Sequence, residues 1–258
     1  MTRPERARPP AGSLPRYRRA LPHAWVVGDF AVHELLRHAP EGALEVRWHG
    51  ALDPDRLHRL AAACDAADVP LRRDDATLEH ARSKANAHVL AVFEKRDAAL
   101  AQDRDHLVLV APRDPGNLGT ILRTALAFGV EDVAVVGDGD PWSPHVSRAS
   151  LGAAFALRIA RAPDLTTYRR SAPRHALWLL DGEGDATLEG LAHATPPRAL
   201  VAGPEWPGLS AEDRALGRTV RIDHDRRVES LNVAGAVGIA LQRLGAHASA
   251  AAATGVPA

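Results

Sequence analysis

Cysteine is almost absent: Cys64 is the single one in 258 residues. That excludes an intrachain disulfide framework and a cysteine-based zinc cluster. Within Leu60-Ala61-Ala62-Ala63-Cys64 a small buried thiol is expected rather than a nucleophile. Lysine is nearly as scarce, with Lys84 and Lys95 the only two, so almost all positive charge is guanidinium. Guanidinium suits bidentate phosphate contacts, although a general Arg and Ala bias of the source would give the same pattern. There is no excess of either sign: 32 basic and 32 acidic residues leave a formal net charge of zero, so bulk charge does not point to nucleic acid. No apolar run approaches the roughly 18 residues of a membrane span. The first ten residues, Met1 to Pro10, contain no apolar core for a signal peptide, so a cytoplasmic protein is expected. The 13 histidines are scattered without an HExxH or similar spacing, and no metal is suggested.

What is present is an ordinary 46% hydrophobic content, enough for one large or two modest domains. Residues 1–22 form a Pro- and Arg-rich arm in which Arg3, Arg6, Arg8, Arg16, Arg18 and Arg19 oppose only Glu5. The lack of periodicity predicts a mobile segment there. Residues 23–97 read as a small α/β domain. It has a helix over Asp29–Arg37, a strand at Leu44–Trp48, a helix over Asp53–Ala67, a short strand at Val69–Leu71, a helix at Asp75–Arg82 and a strand at Val89–Glu94. After a charged linker at Ala98–Arg104, residues 104–247 read as a second α/β domain, followed by an Ala-rich tail at 248–258, and the chain is expected to fray after Gly245. Strand-like runs fall at His106–Ala111, Asp132–Gly137, His175–Asp181, Arg198–Gly203 and Thr219–Asp223, with helices at Leu118–Phe128, Ser147–Ala156, Leu188–His193 and Leu231–Leu244 between or after them. Short buried strands alternating with helices imply a parallel sheet covered on both faces, with ligands beyond the carboxyl ends of its strands.

Three strand-end loops carry polar residues. The first, Pro112 to Asn117, precedes a helix for which Asn117 is a plausible cap, Gly129 a stop and Leu118, Ile121, Leu122, Ala125 and Leu126 the buried stripe, with Arg123 beside it. The second, Gly203-Pro204-Glu205-Trp206-Pro207-Gly208-Leu209, holds Glu205 in a loop stiffened by prolines. Gly203 there permits close backbone approach to a ligand. The third runs Arg227-Val228-Glu229-Ser230-Leu231-Asn232 into a helix without a polar face, where Ser230 is a natural N-cap. None is a phosphate cradle: neither GxGxxG nor GxxxxGK[ST] occurs, which argues against a dinucleotide-binding oxidoreductase.

At these residues the chain resembles the SpoU-type RNA 2′-O-ribose methyltransferases of the knotted SPOUT superfamily. The resemblance is carried by Asp114-Pro115-Gly116-Asn117-Leu118-Gly119-Thr120-Ile121-Leu122-Arg123-Thr124-Ala125, by Leu200 to Leu209, and by Ile222 followed by Ser230-Leu231-Asn232-Val233. Ser147 to Ala153 is a further family-like segment, and residues 24–94 more weakly resemble the small RNA-binding domain that many members carry. Pro204 stands where the family commonly has Asn, Thr or Ser, and Asp223-His224 replaces the usual Pro-Met. The resemblance implies a C-terminal trefoil knot and a homodimer. Its implied cofactor is S-adenosylmethionine, held at Gly203, Ile222, Leu231, Leu180 and Ser230. It implies a catalytic set of Asn117, Arg123, Glu205, Ser230 and Asn232, with Asn117 supporting Arg123. The implied substrate is RNA, ribosomal rather than transfer RNA, with a tRNA methyltransferase and a non-catalytic RNA-binding protein as the alternatives.

The family proposal makes Arg123 the base. Holding an arginine neutral at pH 7 would cost roughly 7 kcal/mol, so a role in fixing the target phosphate and ribose is expected instead.

Overall fold

The computed structural model describes residues 14, 16–81, 88–225 and 227–253; Arg3, Arg6, Arg8, the last residue of the expected 75–82 helix and the end of the Ala-rich tail lie outside them. Two compact units result, Met1–Arg96 with Trp142–Ala156, and Asp97–Pro141 with Leu157–Ala258. The continuous boundaries expected from sequence, 23–97 and 104–247, do not anticipate that Trp142–Ala156 joins the first unit.

The first unit contains β1 (His23–Val27), α1 (Asp29–His38), β2 (Ala43–Trp48), α2 (Pro54–Ala67), β3 (Leu71–Arg73), α3 (Asp75–Ala81) and β4 (Val89–Glu94). Its four-stranded sheet has the order β1-β4-β2-β3. β4 is central and all but its last residue are buried, which explains its near-continuous apolar run. Asp53 caps α2 by accepting from the Arg56 N–H at 3.1 Å, and Pro54 opens the first turn. β3 begins two residues later than its expected start at Val69. Asp68 turns the chain through a left-handed conformation (φ 53°), and Pro70 has no N–H to give the ladder. The inserted segment Trp142–Ala156 folds as a short helix at Pro144–Ala149 and a 3-10 turn at Ala153–Ala156. The single helix expected at Ser147–Ala156 is therefore broken, at Leu151 and Gly152, both with positive φ. Gly152 lies so close to α1 that a Cβ there would sit 2.8 Å from Glu34 Cβ. Phe155 and Trp142 then make edge contacts with Phe93, with centroids 4.9 and 6.3 Å away. The described part of the arm is packed rather than loose. Leu14 lies against the Leu44, Leu78, Leu90 and Val92 cluster, and Lys95 sits over the Tyr17 ring at 4.5 Å.

The second unit follows the α/β alternation: β5 (His106–Val110), α4 (Pro115–Ala127), β6 (Asp132–Val136), β7 (Arg158–Ala162), α6 (Leu165–Ser171), β8 (Ala176–Leu180), β9 (Ala186–Thr187), α7 (Leu188–Ala192), β10 (Arg198–Ala202), α8 (Ala211–Arg214), β11 (Arg218–Arg221) and α9 (Val233–Ala253), the label α5 belonging to Pro144–Ala149. The seven strands are all parallel to their neighbours, in the order β7-β6-β5-β10-β8-β11-β9. Val108, Val136, Leu177, Leu179 and Val201 meet Leu165 and Tyr168 of α6 on one face, while α9 packs on α4, α7 and β10. β7 was not legible because Arg158 and Arg161 interrupt its apolar pattern; Arg158 reaches back to the buried Asp132, Nε to Oδ1 at 2.8 Å. Helix α9 runs from Val233 to Ala253, past the expected end at Leu244.

The amino-terminal edge of this sheet is tied to the preceding linker. His106 and His175 stack with centroids 3.9 Å apart. His106 Nε2 donates to the Ala101 carbonyl at 2.7 Å, so its Nδ1 lone pair accepts from the Tyr168 hydroxyl at 2.8 Å. His175 Nε2 donates to the Arg104 carbonyl at 2.8 Å. Beside them buried Arg198 pairs with Asp105 and donates to the Ala192 carbonyl at 3.1 Å.

Candidate active site

The chain leaves β5 toward β6 on one side and leaves β10 toward β11 on the other. β5 and β10 are adjacent, so the loops after them diverge and open a crevice beyond their carboxyl ends. A small cleft there is lined by Asp114, Asn117, Gly203, Glu205 and Val233, among others.

Asn117 is not the cap of α4. Pro115 takes the first helical position, and Asp114 before it accepts from the Asn117 backbone N–H at 2.7 Å. That shift places Asn117 in the first turn with its amide uncommitted to capping. Its Nδ2 donates to Glu205 Oε1 at 2.5 Å, and its Oδ1 accepts from Asn232 Nδ2 at 3.1 Å.

Asn232, not Ser230, caps α9. Its Oδ1 accepts from the N–H groups of Ala234 at 2.9 Å and Gly235 at 3.3 Å. Those two donors force oxygen toward the helix and nitrogen toward Asn117. The carboxylate at the far end forces the same sense on Asn117, so both amides have a determined orientation. Three residues from three loops thus form one hydrogen-bonded row, Glu205–Asn117–Asn232.

The other two expected members stand apart from this row. Arg123 lies six residues along α4 from Asn117, about 9 Å further down the axis and on another face. It is exposed and makes no hydrogen bond or ion pair among the described residues, and within the chain Asn117 bonds to Glu205 and Asn232. Ser230 is likewise exposed and unbonded among the described residues.

Three of the five expected cofactor positions are brought to one end of the sheet by register. Leu180 pairs with Ala202 on one side and Val220 on the other, so Leu180, Gly203 and Ile222 sit at the carboxyl ends of three adjacent strands. A Cβ on Gly203 would lie 2.8 Å from Leu209 Cγ, so glycine is needed for the loop to return this closely. Half-buried Leu180, Gly203 and Ile222 at three strand ends fit a nucleoside-bearing cofactor without phosphates, as does the lack of a phosphate-loop motif in the sequence. His224, at one of the departures from the family pattern, has its Nδ1 2.8 Å from the Ile222 carbonyl oxygen. It engages one lone pair of that oxygen and leaves the other for a ligand. Just past Leu180, Asp181 is held by Arg214 of α8 at 2.7 Å. Sequence reasoning missed that pair, which needs the register of β8 and β11 to be seen. Among the described residues no cluster of histidine, cysteine or carboxylate side chains could hold a metal ion, and no helix is long and apolar enough to cross a membrane.

The chain is similar to known RNA methyltransferases. A 23S rRNA (guanosine-2′-O-)-methyltransferase, RlmB, of Haemophilus influenzae is 30% identical over 242 residues, covering 85% of this chain and 98% of that protein. The RlmB protein of Shewanella oneidensis is 27% identical, covering 84% of this chain and 94% of its own length. The structure of an AdoMet-bound rRNA methyltransferase from Sinorhizobium meliloti superposes with a TM-score of 0.74 at 26% identity, covering 88% of each chain. Residues 105–242, which hold the whole row and all three strand ends, match the SpoU rRNA Methylase family, and the chain belongs to that family.

Proposed function

We propose that this protein methylates a ribose 2′-hydroxyl of ribosomal RNA, with S-adenosylmethionine as donor. The observation that carries the reading is the Glu205–Asn117–Asn232 row at the mouth of the β5/β10 crevice, beside the three strand ends. The cofactor, when bound, supplies a methyl group on a cationic sulfonium. Gly203, Ile222, Leu231 and Leu180 hold it by backbone groups and apolar packing, with Ser230 beside them. Glu205 keeps one carboxylate oxygen unengaged among the described residues, and this oxygen accepts from the incoming ribose hydroxyl. Asn117 and Asn232 hold that carboxylate in place, the kind of positioning that contributes several kcal/mol to such a transfer. Arg123, unpaired and charged, grips the phosphate of the target nucleotide.

The first unit serves as the RNA substrate domain, and the C-terminal chain forms the knot of the family. Two copies associate through the α4/α9 side, where Phe128 and Ile239 are exposed at 38% and 44%. The protein works in the cytoplasm and without a metal ion. The relatives that act on 23S rRNA favour ribosomal RNA as substrate over tRNA.

The test is transfer of tritiated methyl from S-adenosylmethionine to rRNA transcripts and to bulk tRNA by the full chain, in chelator. Label in rRNA that survives as an alkali-resistant dinucleotide is expected. Label confined to tRNA would move the substrate, and no label in either RNA would leave a non-catalytic protein. Sedimentation at micromolar concentration checks the dimer: an active monomer would overturn it.

A further inference from the structure

Among the described residues of the second unit Trp206 is the most exposed large apolar side chain, 77% accessible, and it stands next to Glu205. Its loop is held at both ends. Gly203 and Leu209 are packed against each other, Leu209 is anchored in the core with Val108 and Val201, and Glu205 is bonded to Asn117. Pro204 and Pro207 flank the Glu205-Trp206 pair, and Gly208 (φ 86°) makes the return turn. A rigid loop that presents an indole to water beside a row of ribose-binding polar groups has the form of a stacking platform. Unpaired bases of RNA are held by stacking on aromatic side chains, because every base offers a π-face.

We propose that Trp206 stacks on the nucleobase of the nucleotide whose ribose is presented to Glu205, and so fixes that ribose for transfer. The proposal rests on the RNA-methylating reading above and adds the base-holding residue to it. A platform of this kind accepts any base and works only on a nucleotide that is out of the helical stack, so it selects unpaired RNA rather than a sequence.

The test combines variants with a base deletion. The full chain and its W206F, W206L and W206A variants are titrated with a single-stranded 12-nucleotide RNA that is abasic except for one guanosine, and with the same RNA abasic at that position as well. The expected result is that wild type prefers the guanosine RNA by about five- to one-hundredfold. W206F should keep most of that preference, while W206L and W206A should bind both RNAs equally. The emission component present in wild type and absent in W206F should be quenched by the guanosine RNA alone. Equal preference in W206L and W206F would reduce the contact to apolar packing and overturn stacking. A shift of W206A toward a smaller sedimenting species, or an RNA-independent blue-shifted Trp206 emission, would place the indole in an interface between copies and overturn it too. These binding readouts do not depend on turnover. A wild type that transfers no methyl group to any RNA but shows the expected preference would sink the enzymatic reading and leave the stacking residue standing.

Discussion

Asn232 donates its side-chain amide to Asn117 Oδ1 at 3.1 Å across 115 residues of sequence, while the oxygen of the same amide caps helix α9. One side chain therefore starts a helix and closes a site. Only a group that is both donor and acceptor can do this, and the two tasks can be separated by substitution.

Asn232→Asp keeps the capping oxygen and removes the donor to Asn117. Stability should stay within about 0.5 kcal/mol of wild type, while methyl transfer falls. Asn232→Ala removes both and should also lose about 1 kcal/mol from the lost cap. Urea unfolding beside single-turnover rates distinguishes them; equal loss of stability in the two variants would show that the amide nitrogen matters to the fold.

Asn117→Ala frees the Glu205 carboxylate from its donor. A carboxylate no longer held in place should lower kcat by about 10- to 100-fold, with little change in the unfolding midpoint because the site is at the surface. Calorimetric titration with S-adenosylmethionine should give unchanged affinity; a large loss there would move Asn117 to the cofactor side.

Arg123→Lys keeps the charge and removes the planar fork. If Arg123 grips a phosphate in bidentate fashion, kcat/KM for RNA should fall at least about tenfold. Turnover near wild type would sink any role that needs the guanidinium shape.

Buried His106 gives the fold a pH dependence. Burial holds the His106 imidazolium below its ordinary value of 6.5, aided by His175 and opposed by its bond to Ala101 and by Asp132 and Asp105; Tyr168, its other neighbour, donates to Nδ1. A depressed folded value means that the unfolded chain takes up the proton first. The contribution is complete above about pH 6.5 and is lost as pH falls through the folded value. Urea midpoints should therefore decline from about pH 7 to about pH 5, and His106→Gln should decline less steeply. Parallel declines would exclude His106 as the source.

At the same edge, Arg198→Ala takes the guanidinium from Asp105, leaving it the Arg198 backbone N–H, and removes the side-chain donor to the Ala192 carbonyl. A loss of about 3–5 kcal/mol is expected for breaking a buried pair from one side. A loss below about 1 kcal/mol would mean that water replaces the guanidinium.

The α/β alternation of both units was legible because apolar runs of strand length recur between helical stripes, and β4 has the same ends in sequence and structure. β7 and the short β9 were not, since an edge strand carrying Arg158 and Arg161 and a two-residue strand leave no periodic signal. The assignment of Trp142–Ala156 to the first unit was hidden for another reason. Its signal is the contact of Phe155 and Trp142 with Phe93, residues far apart in the chain.

The local order of the three loops was written in the sequence by itself: where a strand ends, where proline or glycine turns the chain, and which polar residue types stand there. Their roles were decided by tertiary structure. Capping passed from Asn117 to Asp114 and from Ser230 to Asn232, because Pro115 and Val233 open their helices one or more residues away from the expected starts. Adjacency of β5 and β10 then brought Asn117 to Glu205, and the packing of α9 on α4 brought Asn232 to Asn117. A hydrogen bond needs its partners within about 3 Å, and only the strand order, which no local pattern encodes, sets that distance.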